Sequence, residues 1–190
     1  VDLFAVNAVE CEPYLTADYK NIEENLSLLK TGTLALFKLS KAKKGCIAIK
    51  EDKKKQIEDL KKTFEGTPIE IRTVPNIYPM GWERTLVYEL TGKRYNMLPI
   101  EAGMILNNAS TAIALGNAID NGMPITHKYV TVSGDALKDP KNVYVPVGTK
   151  AHEIIEAVGG YKEGVDNVLL IAGGPMMGRT IPNDAFVIAP

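Results

Sequence analysis

Cysteine is scarce in this chain: Cys11 and Cys46 are the only two, and they stand in unrelated surroundings. That is too few for a disulfide framework, and no Cys-x-x-Cys pair exists to grip a metal. A reducing compartment is the simplest reading. The two histidines, His127 and His152, are isolated, so no Ser-His-Asp or metal-ligand constellation can be assembled. No apolar run approaches the roughly 20 residues that span a bilayer. The opening Val1-Asp2-Leu3-Phe4-Ala5-Val6 is too short and without the positive charge of a signal peptide. With no initiator methionine and strand-like residues from the start, the sequence reads as cut from a longer protein. Charge of one sign is also missing. With 22 basic and 23 acidic residues the net is -1, which gives no electrostatic reason to expect nucleic acid or an anionic membrane as partner.

What is present is an ordinary globular composition, 45% hydrophobic and 24% charged. Leu3–Asn7, Cys46–Ile49 and Pro68–Val74 read as strands, the first two almost wholly apolar. A helix is expected from Thr16 or Ala17, with Tyr19, Ile22, Leu26 and Leu29 at helical spacing and Gly32 as its stop. A second is expected over Leu34–Lys44, and a lysine-rich third over Asp52–Phe64. Two more follow, near Gly81–Leu90 and Asn108–Asp120, each ended by a glycine break. Strands alternating with helices imply an α/β fold with a parallel sheet covered on both faces. The texture changes after Asn121-Gly122-Met123-Pro124. Strands over Lys128–Gly134, Val143–Gly148 and Val168–Ala172 flank one helix, capped by Thr149 and ended by Gly159-Gly160, which suggests a small α+β module.

Four segments carry residue types that chemistry uses. Asn7-Ala8-Val9-Glu10-Cys11-Glu12-Pro13-Tyr14 follows the carboxyl end of the first strand, where open parallel sheets bind ligands. Its amide can bond the edge of a planar ring, and Glu10 and Glu12 can hold sugar hydroxyls or tune a redox ring. Equally, they can be solvated loop carboxylates. In Tyr78-Pro79-Met80-Gly81-Trp82-Glu83-Arg84-Thr85, proline and glycine can bring N–H groups close to a flat or anionic ligand. The plain alternative is a helix start with Trp82, Leu86 and Leu90 packed inward. Asn107-Asn108-Ala109-Ser110-Thr111 offers a helix N-terminus suited to phosphate, or simple asparagine capping. Ala172-Gly173-Gly174-Pro175-Met176-Met177-Gly178 lacks the Walker lysine and the Rossmann spacing and reads as a tight turn. His152 is expected on the solvent side of its helix.

In order and wording together, these segments resemble the C subunits of Rnf-type ferredoxin:NAD oxidoreductases. Val6–Asp18 is very similar to their signature. Tyr78–Arg84 resembles their Tyr-Pro-x-Gly-Gly-Glu-Lys segment, with Trp82 and Arg84 as departures; Asn107–Ala112 and Gly173–Gly178 complete the series. The departures point to a subfamily, the proline-reductase-associated electron-transfer protein of amino-acid-fermenting anaerobes. The resemblance covers essentially the whole chain. It implies a Rossmann-like flavin domain of the complex I flavoprotein type over residues 1–123, then a small soluble-ligand-binding β-grasp domain over 124–190. It further implies FMN and NAD(H) as cofactors. Asn7 and Glu10 would border the isoalloxazine, and Glu12 the flavin or NADH side. Tyr78, Gly81 and Glu83 would line the ring, which Trp82 would crowd. Asn107, Asn108 and Thr111 would meet the flavin phosphate. No residue is implied as a catalytic acid, base or metal ligand.

The glycine-rich loop that the family carries upstream and the cysteine motifs it carries downstream are not in this sequence. Its [4Fe-4S] clusters are therefore expected outside these residues, and this chain alone is expected to hold FMN weakly or not at all. The partners implied are NADH and other electron-transfer subunits or a reductase, without nucleic acid and without direct membrane insertion. The location implied is the cytoplasm, or the inner face of the cell membrane as a peripheral subunit. A different reading is a non-catalytic ligand- or subunit-binding scaffold with a vestigial flavin site. The break in texture makes Asn121–Pro124 a connector, since Gly-x-Pro combinations suit one. Limited proteolysis should therefore cut there, or in the Lys41–Lys44 turn, before it cuts within any strand; early cleavage inside Val168–Ile171 would contradict this layout.

Overall fold

The computed structural model describes residues 1–189 of the chain. Two compact units emerge: Val1–Cys11 with Asn21–Pro124, and Glu12–Lys20 with the residues from Ile125 onward. The first is built on a four-stranded sheet of order β3-β2-β1-β4. Its strands are β1 (Leu3–Asn7), β2 (Lys44–Lys50), β3 (Ile69–Val74) and β4 (Met104–Asn108), and every neighbouring pair is parallel. Parallel strands need crossover connections. These are supplied by α1 (Ala17–Glu24), α2 (Leu26–Ser40), α3 (Lys54–Thr63) and α4 (Glu83–Thr91); α5 (Ala109–Asn121) follows β4.

Strands buried on both faces read as unbroken apolar runs. Phe4 and Val6 of β1 enter one core with Ile47, Ile49, Leu29, Leu60 and Ala112. Leu3 and Ala5 enter the opposite core with Cys46, Val87 and Met104. The central strand thus has no solvent face, and its end is fixed by the packing of the whole unit.

Several local expectations change. Gly32 does not stop a helix. The break falls at Asn25, and α2 runs through Gly32 to Ser40, ended by Lys41 at a left-handed φ of 52°. Gly32 is buried, and a Cβ there would overlap the carbonyl of Ala112; one on Gly116 would overlap the carbonyl of Leu28. The two glycines let the backbones of α2 and α5 touch, and this close approach outweighs glycine's poor helix propensity. The expected second helix over Leu34–Lys44 is therefore the latter part of α2, while Lys44 already belongs to β2. The pattern gave no strand between α4 and α5, yet β4 lies there. Its apolar part is only Met104-Ile105-Leu106, and Asn107-Asn108 disguises its end as a cap. A 3-10 turn at Pro99–Ala102 leads into it.

In the second unit β5 (His127–Val132) and β6 (Lys141–Pro146) pair antiparallel, α6 (Ala151–Ala157) follows, and β7 (Leu170–Ala172) pairs with β8 (Arg179–Ile181). Leu137, Ile155 and Val158 form its core, with Val132, Val143, Tyr161 and Leu170 against them. The segment Glu12–Lys20 is stitched into this unit by polar contacts. The Thr16 N–H donates to Thr131 Oγ1 at 3.0 Å, Asn142 Nδ2 donates to Thr16 Oγ1 at 2.9 Å, and Ser133 Oγ donates to the Tyr14 carbonyl at 3.0 Å. Thr149 does not cap α6: its hydroxyl donates to the Pro146 carbonyl, and Glu153 instead accepts from the Lys150 N–H at 2.8 Å. His152 is half-buried rather than solvent-facing. The last apolar strand is shorter than Val168–Ala172, and Gly173–Gly178 is the turn that joins it to β8.

The α2–α5 contact leaves no room for a methyl group. Gly32→Ala should lower unfolding stability by about 1–3 kcal/mol through forced overpacking. Leu39→Ala, which truncates a side chain that is 75% exposed, should stay within about 0.5 kcal/mol. Urea denaturation of the two variants checks the contrast.

Candidate functional site

The carboxyl edge of the sheet in the first unit gathers most of the residues singled out in the sequence. β1 and β4 end side by side, with Val6 opposite Asn107 and Asn7 opposite Asn108. Asn7 engages both ends of its carboxamide: Nδ2 donates to the Gly81 carbonyl at 2.9 Å, and Oδ1 accepts the Val9 N–H at 2.9 Å. It therefore ties the loop after β1 to the turn before α4. That turn is anchored by Met80, buried with Val9, Ala48, Val74 and Leu86. A Cβ on Gly81 would overlap the Val9 carbonyl and press on Cys11. The glycine is thus demanded from inside the unit, by the loop it packs against.

Asn108 is the N-cap of α5, its Oδ1 accepting the Ser110 N–H at 2.7 Å, and Asn21 Nδ2 donates to Ser110 Oγ at 2.8 Å. By contrast, the Asn107 carboxamide and the Tyr78 and Thr111 hydroxyls have no hydrogen-bond partner among the described residues. The edge therefore holds two kinds of polar group. Asn7 and Asn108 are committed to shaping it, while Tyr78, Asn107 and Thr111 are left available. Glu10, in the loop after Val9, is half-buried and has interactions of its own.

Around α4 the sequence reading missed a second polar cluster. The Tyr95 hydroxyl donates to Glu83 Oε1 at 2.7 Å, and the Arg84 guanidinium lies 4.7 Å from the Tyr95 ring centroid. Arg84 also donates to the carbonyls of Tyr95 and Asn96. Burial, with the Glu83 carboxylate beside it, pushes the Tyr95 phenol up to about 12. Glu101 accepts the N–H groups of Leu98, Asn96 and Met97, which hold its carboxyl below the usual range. The Leu98-Pro99-Ile100-Glu101 spacing, with Glu three residues after the cap, was the available signal. Trp82 does not pack inward with Leu86: it is 54% exposed, whereas Leu86 is fully buried.

Glu12 belongs to the second unit. Its Oε2 accepts the Met176 N–H at 2.9 Å, and a Cβ on Gly174 would overlap its carboxylate. Cys46 lies within the sheet of the first unit, and burial pushes its thiol up to about 11. Among the described residues, no group of His, Cys, Asp or Glu is placed to hold a metal ion.

The two kinds of asparagine separate experimentally. Asn7→Ala leaves the Gly81 carbonyl and the Val9 N–H without partners and should lower stability by about 1–3 kcal/mol. Asn107→Ala should change it by no more than about 0.5 kcal/mol. Thermal or urea unfolding of both variants checks this.

Residues 1–117 match the model of the Nuo51 FMN-binding domain, and residues 129–180 match that of the SLBB domain. The C subunit of the proton-translocating ferredoxin:NAD(+) oxidoreductase complex of Clostridium ljungdahlii is 41% identical over 180 residues, which is 94% of this chain and 39% of that protein. The C subunit of the Na(+)-translocating ferredoxin:NAD(+) oxidoreductase complex of Acetobacterium woodii is 32% identical over 183 residues, 95% of this chain and 41% of that protein. The chain therefore spans about two fifths of the length of these curated relatives. Among solved structures, a chain of an NAD+-reducing [NiFe]-hydrogenase in the H2-reduced state superposes with a TM-score of 0.72 at 16% identity, over 98% of this chain and 40% of that one. The same hydrogenase type in the air-oxidized state gives 0.67 at 21% identity, over 83% and 32%. These likenesses bear on the fold alone. The chain belongs to the Nuo51 FMN-binding domain family, carries an SLBB domain behind that domain, and is a relative of the C subunits of ferredoxin:NAD(+) oxidoreductase complexes.

Proposed function

We propose that this chain is the flavin- and NADH-handling part of an electron-transfer subunit, in a ferredoxin:NAD oxidoreductase complex or beside a reductase such as proline reductase. Its cofactor is FMN, and its electrons pass to iron–sulfur clusters held by other residues. The observation that carries the reading is the edge where Val6-Asn7 and Asn107-Asn108 end together, with Gly81 tied to Asn7. Ligands of open parallel sheets bind outside such carboxyl ends.

The donor set fits a flat ring bearing one phosphate. The first turn of α5 has N–H groups without helical partners, and the helix dipole favours an anion there. The Asn107 carboxamide and the Thr111 hydroxyl lie at the same helix start and are unengaged. Tyr78 adds a phenol and an exposed ring. Asn7 and Gly81 position this edge, and Asn108 fixes the start of α5. FMN, when bound, supplies the capacity to take electrons as a pair and release them singly. Glu10 and Glu83 set negative charge near the site, which opposes accumulation of further negative charge on a bound ring. The Glu83 carboxylate is held in place by the Tyr95 hydroxyl. Among the described residues no helix is long and apolar enough to cross a membrane. The proposed setting is the cytoplasm, at the inner face of the membrane where the partner subunits reside there.

NADH-dependent viologen reduction by the intact protein tests the reading, since a scaffold with a vestigial flavin site gives no turnover. Glu10→Gln removes a charge while nearly keeping volume. It should slow NADH oxidation several-fold, by more than any loss of folded protein seen in a parallel thermal melt accounts for. Wild-type turnover in that variant refutes the role given to Glu10.

A further inference from the structure

We propose that Trp82 is a stacking platform for the flat aromatic ring of a nucleotide cofactor, a binding residue added to the flavin and NADH site on which this inference rests. It is the single tryptophan of the chain, and more than half of it is exposed. Among the described residues the indole has no hydrogen-bond or ring partner and belongs to no core cluster. Trp82 stands at the N-cap of α4, a position that favours Ser, Thr, Asp or Asn, and its side chain makes no capping bond.

The backbone beneath the ring is held from every side. The Trp82 N–H donates to the Pro79 carbonyl at 2.9 Å, and the Trp82 carbonyl accepts the first helical bond, from the Leu86 N–H at 2.9 Å. The residue before it, Gly81, is clasped by Asn7 and by the Val9 loop, and Met80 is sunk in the core. A large ring on so fixed a base loses little freedom on meeting a ligand, because tryptophan has only two side-chain torsions. Tyr78, on the same turn, is 41% exposed. One turn therefore buries its methionine and displays two aromatic rings.

Its place selects the ligand class. The Gly81 carbonyl bonds to Asn7, and Asn7 lies opposite Asn108, which opens α5 with Asn107 and Thr111 beside it unengaged. A turn with two exposed aromatic rings, tied through Asn7 to the strand end beside a helix start, suits a planar base or flavin tethered to a phosphate, and base–aromatic stacking is sequence-tolerant and strong. FMN and NAD(H) share this chemistry, and titration separates them.

FMN and NAD+ are added separately to the 190-residue chain, up to millimolar concentration. Trp82 emission is followed, and bound ligand is measured independently by equilibrium dialysis. The ligand whose ring stacks should quench Trp82 as it binds. Trp82→Ala should raise that ligand's Kd about tenfold or more, and Trp82→Phe should keep it within about threefold. Neither substitution should shift Tm by more than about 1 °C. If dialysis shows binding while Trp82 emission and the Trp82→Ala affinity are unchanged, the stacking role is overturned and the flavin reading stands. If neither ligand binds at millimolar concentration, the stacking role falls, while the flavin reading is decided separately by viologen reduction with the intact protein. If Trp82→Ala melts several degrees lower, the ring belongs to the fold and the inference fails.

Discussion

One carboxamide organises the working edge of the first unit. Asn7 closes the central strand, and that strand is buried on both faces, so its end is positioned by the whole hydrophobic core. From there the side chain reaches the Gly81 carbonyl and the Val9 N–H at once. A short amide with both ends engaged has one orientation that satisfies both partners, and it joins two loops whose Val9 and Met80 are themselves buried in one core cluster. Glu10, Tyr78 and the start of α4 stand on loops that this clasp, the burial of Met80 and the packing of Gly81 on Val9 hold together.

Contiguous motif residues therefore divide into different jobs. Within Asn7–Tyr14, Asn7 and Val9 shape the edge of the first unit, while Glu12 is bound by the Met176 N–H and seated on Gly174 in the second. The glycine turn between β7 and β8 needs its bare backbone for that carboxylate. This accounts for Gly174 without any phosphate, in keeping with the absence of a Walker lysine.

Strands β1 and β2 were legible because burial on both faces demands uninterrupted apolar residues, and β3 because Pro68–Val74 alternates apolar and polar residues. β4 was hidden by brevity: three apolar residues followed by two asparagines satisfy a cap as well as a strand end. Gly32 was misread because glycine's helix-breaking tendency is a local property, whereas its use here is a contact with Ala112, 80 positions along the chain. The same limit applies to Asn7 and Gly81. Their residue types suggested contact with a ligand and gave no sign that they also bond to each other and pack against Val9. The available groups, Tyr78, Asn107 and Thr111, are distinguished from the committed ones only by geometry, and no spacing rule separates Asn107 from Asn108.

The chain passes from the first unit to the second between Cys11 and Glu12, returns between Lys20 and Asn21, and leaves again between Pro124 and Ile125. Severing it at the last crossing does not release a free SLBB module. The amino-terminal piece still carries Glu12–Lys20, whose Tyr14 and Thr16 remain hydrogen-bonded to Ser133, Thr131 and Asn142 of the other piece. The boundary is therefore not a single point in the sequence: the short segment after β1 is part of the second unit's hydrogen-bond network, and a cut after residue 124 divides that unit between two polypeptides.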